Sequence, residues 1–255
     1  MLLKDIHFDL CYNKNWKYIY DLINNEKYSL EEAIKTDYKN NCKYKRYKLR
    51  SETQCITEMV IRLLHNNGKF HFNDCGKIII ECKLNRDEKI GVISKCENIY
   101  SISTYFEYEK YIGLDNLQKK IYISSIAEKC MLKICEYISF PPNQILDVFN
   151  KIKENNFINQ YICKEKARNK KYIAEILVLH EVEVAQIYVV FRDIKTNAII
   201  EKKLVLSLEP NYWTIENSIG KLKWIGEDKV QLLDSNGKKI LVCNCTAGQD
   251  HGETL

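Results

Sequence analysis

The chain has 255 residues, 45 % of them hydrophobic and 29 % charged, with eleven cysteines and a formal net charge of +5. That length can bury a real core without staples, and the composition is that of an ordinary soluble protein. No stretch approaches the roughly 18–20 uninterrupted apolar residues of a membrane helix, and the start, MLLKDIHFDLCYNK, is broken by Lys4, Asp5 and Asp9 where a secretory signal is apolar. The expected location is the cytoplasm, with no membrane partner. Cysteine usage agrees: the number is odd, the positions are scattered, and several fall in apolar helical patterns, so reduced thiols are expected.

The first hundred residues read as mixed α and β. Trp16, Ile19, Tyr20 and Ile23 recur at helical spacing. Ser29 and Glu32 have the spacing of a capping box. In SETQCITEMVIRLLHNNG, Ser51 and Gln54 are candidate caps, Cys55, Ile56, Met59, Val60, Leu63 and Leu64 form one face, and Gly68 follows the end. Two β-prone runs then flank Asp74-Cys75-Gly76, a hairpin signal.

From 105 to 157 the pattern is helical. A polar stripe of Lys120, Ser124, Glu128 and Glu136 leaves Leu117, Ile121, Ile123, Ala127, Cys130, Ile134 and Ile138 as a broad apolar arc. Pro142 suits the first turn of a second helix burying Ile145, Leu146, Phe149 and Ile152. After 157 the period becomes two, with turns at DIKTN, at GED and at Asn236-Gly237. The expected fold is α+β: a mixed N-terminal half, a central helical hairpin, and a largely antiparallel C-terminal sheet on which the hairpin packs. The expected regions are 1–104, 105–245 continuous with the first, and a flexible tail at 246–255.

Charge is uneven. Residues 35–50 hold seven basic residues and one acidic, so the rest of the chain sums to −1. Only six of the 39 basic residues are arginine, a bias with the abundant Asn, Ile and Tyr that reads as AT-rich coding and discounts lysine runs. Within the stretch, Lys43, Tyr44, Lys45, Arg46, Tyr47, Lys48 and Arg50 form a basic strip with interleaved rings. Its plainest reading is a solvated edge strand, where lysine discourages edge pairing. Docking to an acidic protein surface comes next, and nucleic-acid binding third.

Two other constellations invite chemistry. Cys243, Cys245 and His251 lie close together, yet zinc sites commonly use two paired knuckles, and only one Cys-x-Cys is present, on a strand that points both thiols to the core. No metal and no cofactor is expected. Asp74, Glu81 and Lys83, with Glu58 on the preceding helix, resemble the Asp…Glu-x-Lys pattern of restriction-endonuclease-like nucleases, whose carboxylates hold Mg²⁺. A turn at Asp74–Gly76 would set Glu81 opposite Lys69 and separate the carboxylates by roughly 23 Å, too far to share an ion. Phosphate loops, His-Glu-x-x-His and the Gly-x-Ser-x-Gly elbow are missing, so no enzyme is indicated.

The stretch TYFEYEKYIGLDNLQKKIYISSIAEKCMLKICEYISFPPNQILDVFNKIKENNF, followed by a Pro, a spacer and Gly220-x-Leu222-x-Trp224, resembles immunity proteins of bacterial polymorphic toxin and contact-dependent inhibition systems over about residues 100–240. The resemblance implies a non-catalytic cytosolic antidote whose partner is a cognate toxin domain, and it transfers no site residue. Antidotes to nuclease toxins are usually acidic; the basic strip at 43–50 would suit a toxin with an acidic contact surface. The alternative is a nucleic-acid-acting protein, either a nuclease or a single-strand binder using the strip at 42–50.

Overall fold

The computed structural model describes residues 1–66, 68 and 70–245, the side chains of 164–166 excepted. The fold is α+β, and the chain divides into two compact units, one ending at Phe157 and one beginning at Ile158.

The first unit runs β1 (Asp5–Leu10), α1 (Trp16–Glu26), α2 (Leu30–Asp37), a π-helical segment (Tyr38–Lys43), α3 (Tyr44–His65), β2 (Lys77–Lys83), β3 (Ile93–Cys96), β4 (Ile99–Tyr105), α4 (Tyr108–Ile112), α5 (Asn116–Tyr137) and α6 (Asn143–Glu154). Its sheet has the order β1-β2-β4-β3, with β1, β2 and β4 parallel and β3 antiparallel. Period-two alternation sends Ile6, Phe8 and Leu10 of β1, and Ile78, Ile80 and Cys82 of β2, into the core. The opposite face carries the half-buried Asp5, His7 and Asp9 of β1 and Lys77, Ile79, Glu81 and Lys83 of β2.

The hairpin expected at Asp74-Cys75-Gly76 does not form. Both edges of β2 are taken by its parallel neighbours, and Phe70 and His71 bond instead to Leu3 and Leu2 at the chain start. Phe70 and Phe72 are buried and meet the Phe140 ring edge-on at 5.8 and 4.7 Å. Lys69, the residue expected opposite Glu81, lies outside the described residues. The Ser29–Glu32 capping box is present, with both reciprocal hydrogen bonds.

The helical hairpin α5/α6 belongs to the first unit and packs with α3, and α5 also with β4. The break between compact units falls after Phe157: these helices pack against elements that precede them, and the described strands from 160 onward pair with one another. The buried side of α5 also differs from expectation. Leu117 and Ile121 are exposed, while Lys119, Lys120 and Ser124 are buried with Ile123, Ala127, Cys130 and Ile134.

The second unit contains β5 (Gln160–Arg168), β6 (Tyr172–His180), β7 (Ala185–Asp193), β8 (Ile199–Leu208), α7 (Tyr212–Ser218), β9 (Leu222–Trp224), β10 (Lys229–Leu233) and β11 (Lys239–Asn244). Two antiparallel sheets, β5-β6-β7-β8 and β11-β10-β9, share a core that includes Ile176, Val178, Ile187, Val189, Phe191, Val230 and Leu232. The turns at 193–197, 226–228 and Asn236-Gly237 stand where the sequence places them, and Gly237 has φ +80°. Among the described residues no helix is long and apolar enough to cross a membrane.

Candidate functional site

The basic strip is helical, not an edge strand. Leu30 to His65 is one continuous helix with a π-helical segment inside it, and residues 43–50 close that segment and open α3. Ser51 is consequently an interior residue of α3 and caps nothing. Side chains of β1 and α4 contact the strip directly, and further contacts hold the neighbouring Asp37 and Glu52.

Asp9 of β1 is the main anchor. Arg46 grips it with two hydrogen bonds, Nε to Oδ1 at 2.5 Å and Nη2 to Oδ2 at 2.6 Å, and Arg50 adds an ion pair at 3.2 Å. Arg46 also donates to the Tyr38 hydroxyl at 3.3 Å. Burial pushes the Asp9 carboxyl up, but the Arg46 hydrogen bonds and the charges of Arg50 and Arg46 outweigh it and hold the group below its ordinary value.

Asp37, fully buried at the start of the π-helical segment, is the second anchor. It accepts from Tyr12 Oη at 2.6 Å, from the Asn15 backbone N–H at 3.0 Å and from Asn41 Nδ2 at 2.6 Å. Burial and this carboxylate together drive the Tyr12 hydroxyl far above its usual range.

The π-helical segment makes both anchors possible. Asp37 and Arg46 lie nine positions apart, and at about 100° per residue an unbroken α-helix would set them on opposite sides. The wider i→i+5 turn absorbs one extra residue and removes about 100°, so the two side chains end about 80° apart and both reach the C-terminal end of β1.

The remaining cations are engaged as well. Lys45 pairs with Glu109 at 3.2 Å and lies 5.1 Å over the Tyr108 ring. Lys48 approaches Glu52 at 3.6 Å, and Glu52 pairs with Lys119 of α5 at 3.1 Å. Lys119 sits 5.3 Å over the Tyr111 ring, and burial, reinforced by the Glu52 charge, drives the Tyr111 hydroxyl far up. Among the described residues Lys43 makes no ion pair, and it is exposed together with Tyr44 and Tyr47. Tyr44 is 69 % exposed and Tyr47 49 %.

The nuclease-like residues are not brought together. Asp74 binds Lys95 and, at 2.8 Å, the Tyr100 hydroxyl, beyond the N-terminal end of β2. Glu81 stands four positions into that strand, a separation of roughly 13 Å or more. It pairs with Lys83 at 4.0 Å, and Lys83 also reaches Glu88 at 3.7 Å. Glu58 lies on α3. The carboxylate beside Glu81 is Asp9, its register partner on β1, and Arg46 occupies both oxygens of Asp9. Cys243 and Cys245 are buried in the core of the second unit, and His251 lies outside the described residues. Among the described residues no group of three or more His, Cys, Asp or Glu could hold a metal.

The Gly220-x-Leu222-x-Trp224 motif is structural. A Cβ on Gly220 would stand 1.9 Å from the Asp234 carbonyl oxygen, Leu222 belongs to the core, and Trp224 packs against Tyr172 and Phe191 at 6.4 and 6.0 Å. Concavities of about 80 Å³ in the first unit and about 240 Å³ in the second are small beside ordinary ligand pockets of roughly 300–1,000 Å³.

Sequence reasoning missed Asp9, Asp37, Glu52 and Lys119. The alternation in DIHFDL was a usable signal for Asp9. The i,i+4 spacings Asp37/Asn41 and Lys48/Glu52 are local, but the other partners, Tyr12 and Asn15 for Asp37 and Lys119 for Glu52, lie elsewhere in the chain. No family model matches this chain, and no curated protein or solved structure matches it either.

Proposed function

We propose that this protein is a non-catalytic antidote that binds and neutralises a cognate toxin domain. The observation that carries the reading is the state of the basic strip: Lys45, Arg46, Lys48 and Arg50 are held by Asp9, Glu109 and Glu52, while Tyr44 and Tyr47 project from the same helix. Nucleic-acid affinity rests on cations that exchange their counterions for phosphates. Arg46, held by two hydrogen bonds to Asp9, serves that purpose poorly, and the carboxylates beside Lys45, Lys48 and Arg50 partly offset their charge. Exposed tyrosines on a braced helix serve protein recognition well, because aromatic anchors dominate interface energetics and little side-chain freedom is lost on binding. The resemblance of residues 100–240 to immunity proteins narrows the partner to a toxin.

The test is co-expression with the C-terminal domain encoded by the gene upstream, scored by survival, with direct binding of the two purified proteins. Rescue with a stable complex is the expected result. Failure of both, together with salt-sensitive binding of a single-stranded oligonucleotide, would favour the nucleic-acid reading.

A further inference from the structure

We infer that the helical face carrying Lys39, Lys43, Tyr44 and Tyr47 docks onto an acidic surface of the partner protein. This rests on the antidote reading and adds to it the face used and the partner's chemistry.

Lys39 and Lys43, Lys43 and Tyr47, and Tyr44 and Tyr47 stand four, four and three positions apart, and all four residues are exposed, so they share one side of the helix across the junction of the π-helical segment and α3. Lys39 and Lys43 are the cations of residues 35–50 that make no ion pair among the described residues; Lys35, by contrast, pairs with Glu31 at 2.7 Å. Two like charges a turn apart repel one another, a cost that an acidic partner would relieve.

The stripe is also pre-aimed. Asp37 precedes it and is held by Tyr12 and Asn15 just after β1, and Arg46 lies within its span and is held by Asp9 of β1. Asn40 Nδ2 donates to Tyr18 Oη at 3.0 Å, which fixes α1 beside it. Such π-helical insertions are frequent at functional sites, and a surface braced before binding loses less freedom on association.

The alternative occupant is a nucleic acid. With only two free ammonium groups, the logarithmic salt slope would be about −2, against about −10 for a protein built on phosphate contacts. Two cations and two rings are a small share of what a phosphate backbone demands, so a protein is the occupant.

The experiment measures binding of the C-terminal domain of the protein encoded by the neighbouring upstream gene to the wild type, to Tyr44→Ala/Tyr47→Ala and to Lys39→Glu/Lys43→Glu. Circular dichroism and thermal melts confirm the fold of each. The tyrosine pair should lose about a hundredfold or more in affinity, mostly by faster dissociation. The lysine reversal should slow association about tenfold, with the slowing diminishing as salt rises. Folded variants that bind like the wild type would overturn the docking face and leave the antidote reading standing. A folded wild type that does not bind the domain would reject both. A steep salt slope with a single-stranded oligonucleotide would replace the protein partner with a nucleic acid.

Discussion

Glu52 of α3 and Lys119 of α5 meet at 3.1 Å with side chains only 5 % and 4 % exposed. Removing one partner leaves a buried charge uncompensated. Lys119→Met is therefore expected to cost about 3–5 kcal/mol, nearer the lower end because Lys48 stands 3.6 Å from the same carboxylate. The double change Glu52→Leu/Lys119→Met should recover most of that loss. Urea denaturation of both variants checks it; a double variant no better than the single one would show that the pair stabilises beyond its own desolvation.

Asp9 and Arg46 give a pH dependence with a definite sign. The Asp9 carboxyl lies below its ordinary 3.8 when folded, so the contribution is full above pH 3.8 and is lost as pH falls through the lowered value. Asp9→Asn should cost about 1.5–3 kcal/mol at neutral pH. That difference should stay flat down to about pH 4 and shrink below it. Denaturant midpoints of both proteins across the acid range give the comparison, and a gap that widened in acid would contradict the assignment.

Asp37→Ala removes a fully buried acceptor from three donors, Tyr12 Oη, the Asn15 N–H and Asn41 Nδ2, of which Tyr12 Oη keeps the Ile34 carbonyl oxygen at 3.3 Å. Each orphaned buried donor costs about 1–3 kcal/mol where water cannot replace the lost acceptor. Hydrogen exchange should show faster exchange in the π-helical segment Tyr38–Lys43 before any other helix of the first unit. Unchanged protection there would mean that Arg46 alone sets the helical phase.

Gly220→Ala should destabilise the second unit by about 1–3 kcal/mol or more, since the added methyl would have to displace the Asp234 backbone. Gly237→Ala, with nothing near its Cβ but a φ of +80°, should cost only about 1–2 kcal/mol of left-handed strain. Thermal melts that rank the two in the reverse order would argue against the close approach at residue 220.

Local patterns were enough to read much of this protein. The capping box at Ser29, the helix over Cys55–Leu64, the helical hairpin and the turns of the C-terminal half all follow from spacing within a few residues, because helix periodicity, caps and tight turns are local in their physics. The α+β class follows from them. What the tertiary structure decided involves partners far apart in sequence. β2 pairs in parallel with strands centred some seventy residues before and twenty after it, so no hairpin forms at Asp74–Gly76. Arg46 finds Asp9 across 37 positions, which turns an apparent edge strand into a braced helix. Lys119 finds Glu52 across 67, which draws a lysine inward and leaves Leu117 and Ile121 in solvent. A charge in a sequence carries no sign of whether it will meet water or a carboxylate, and that choice, made only when the chain closes on itself, determined which cations of the basic strip gained a carboxylate partner.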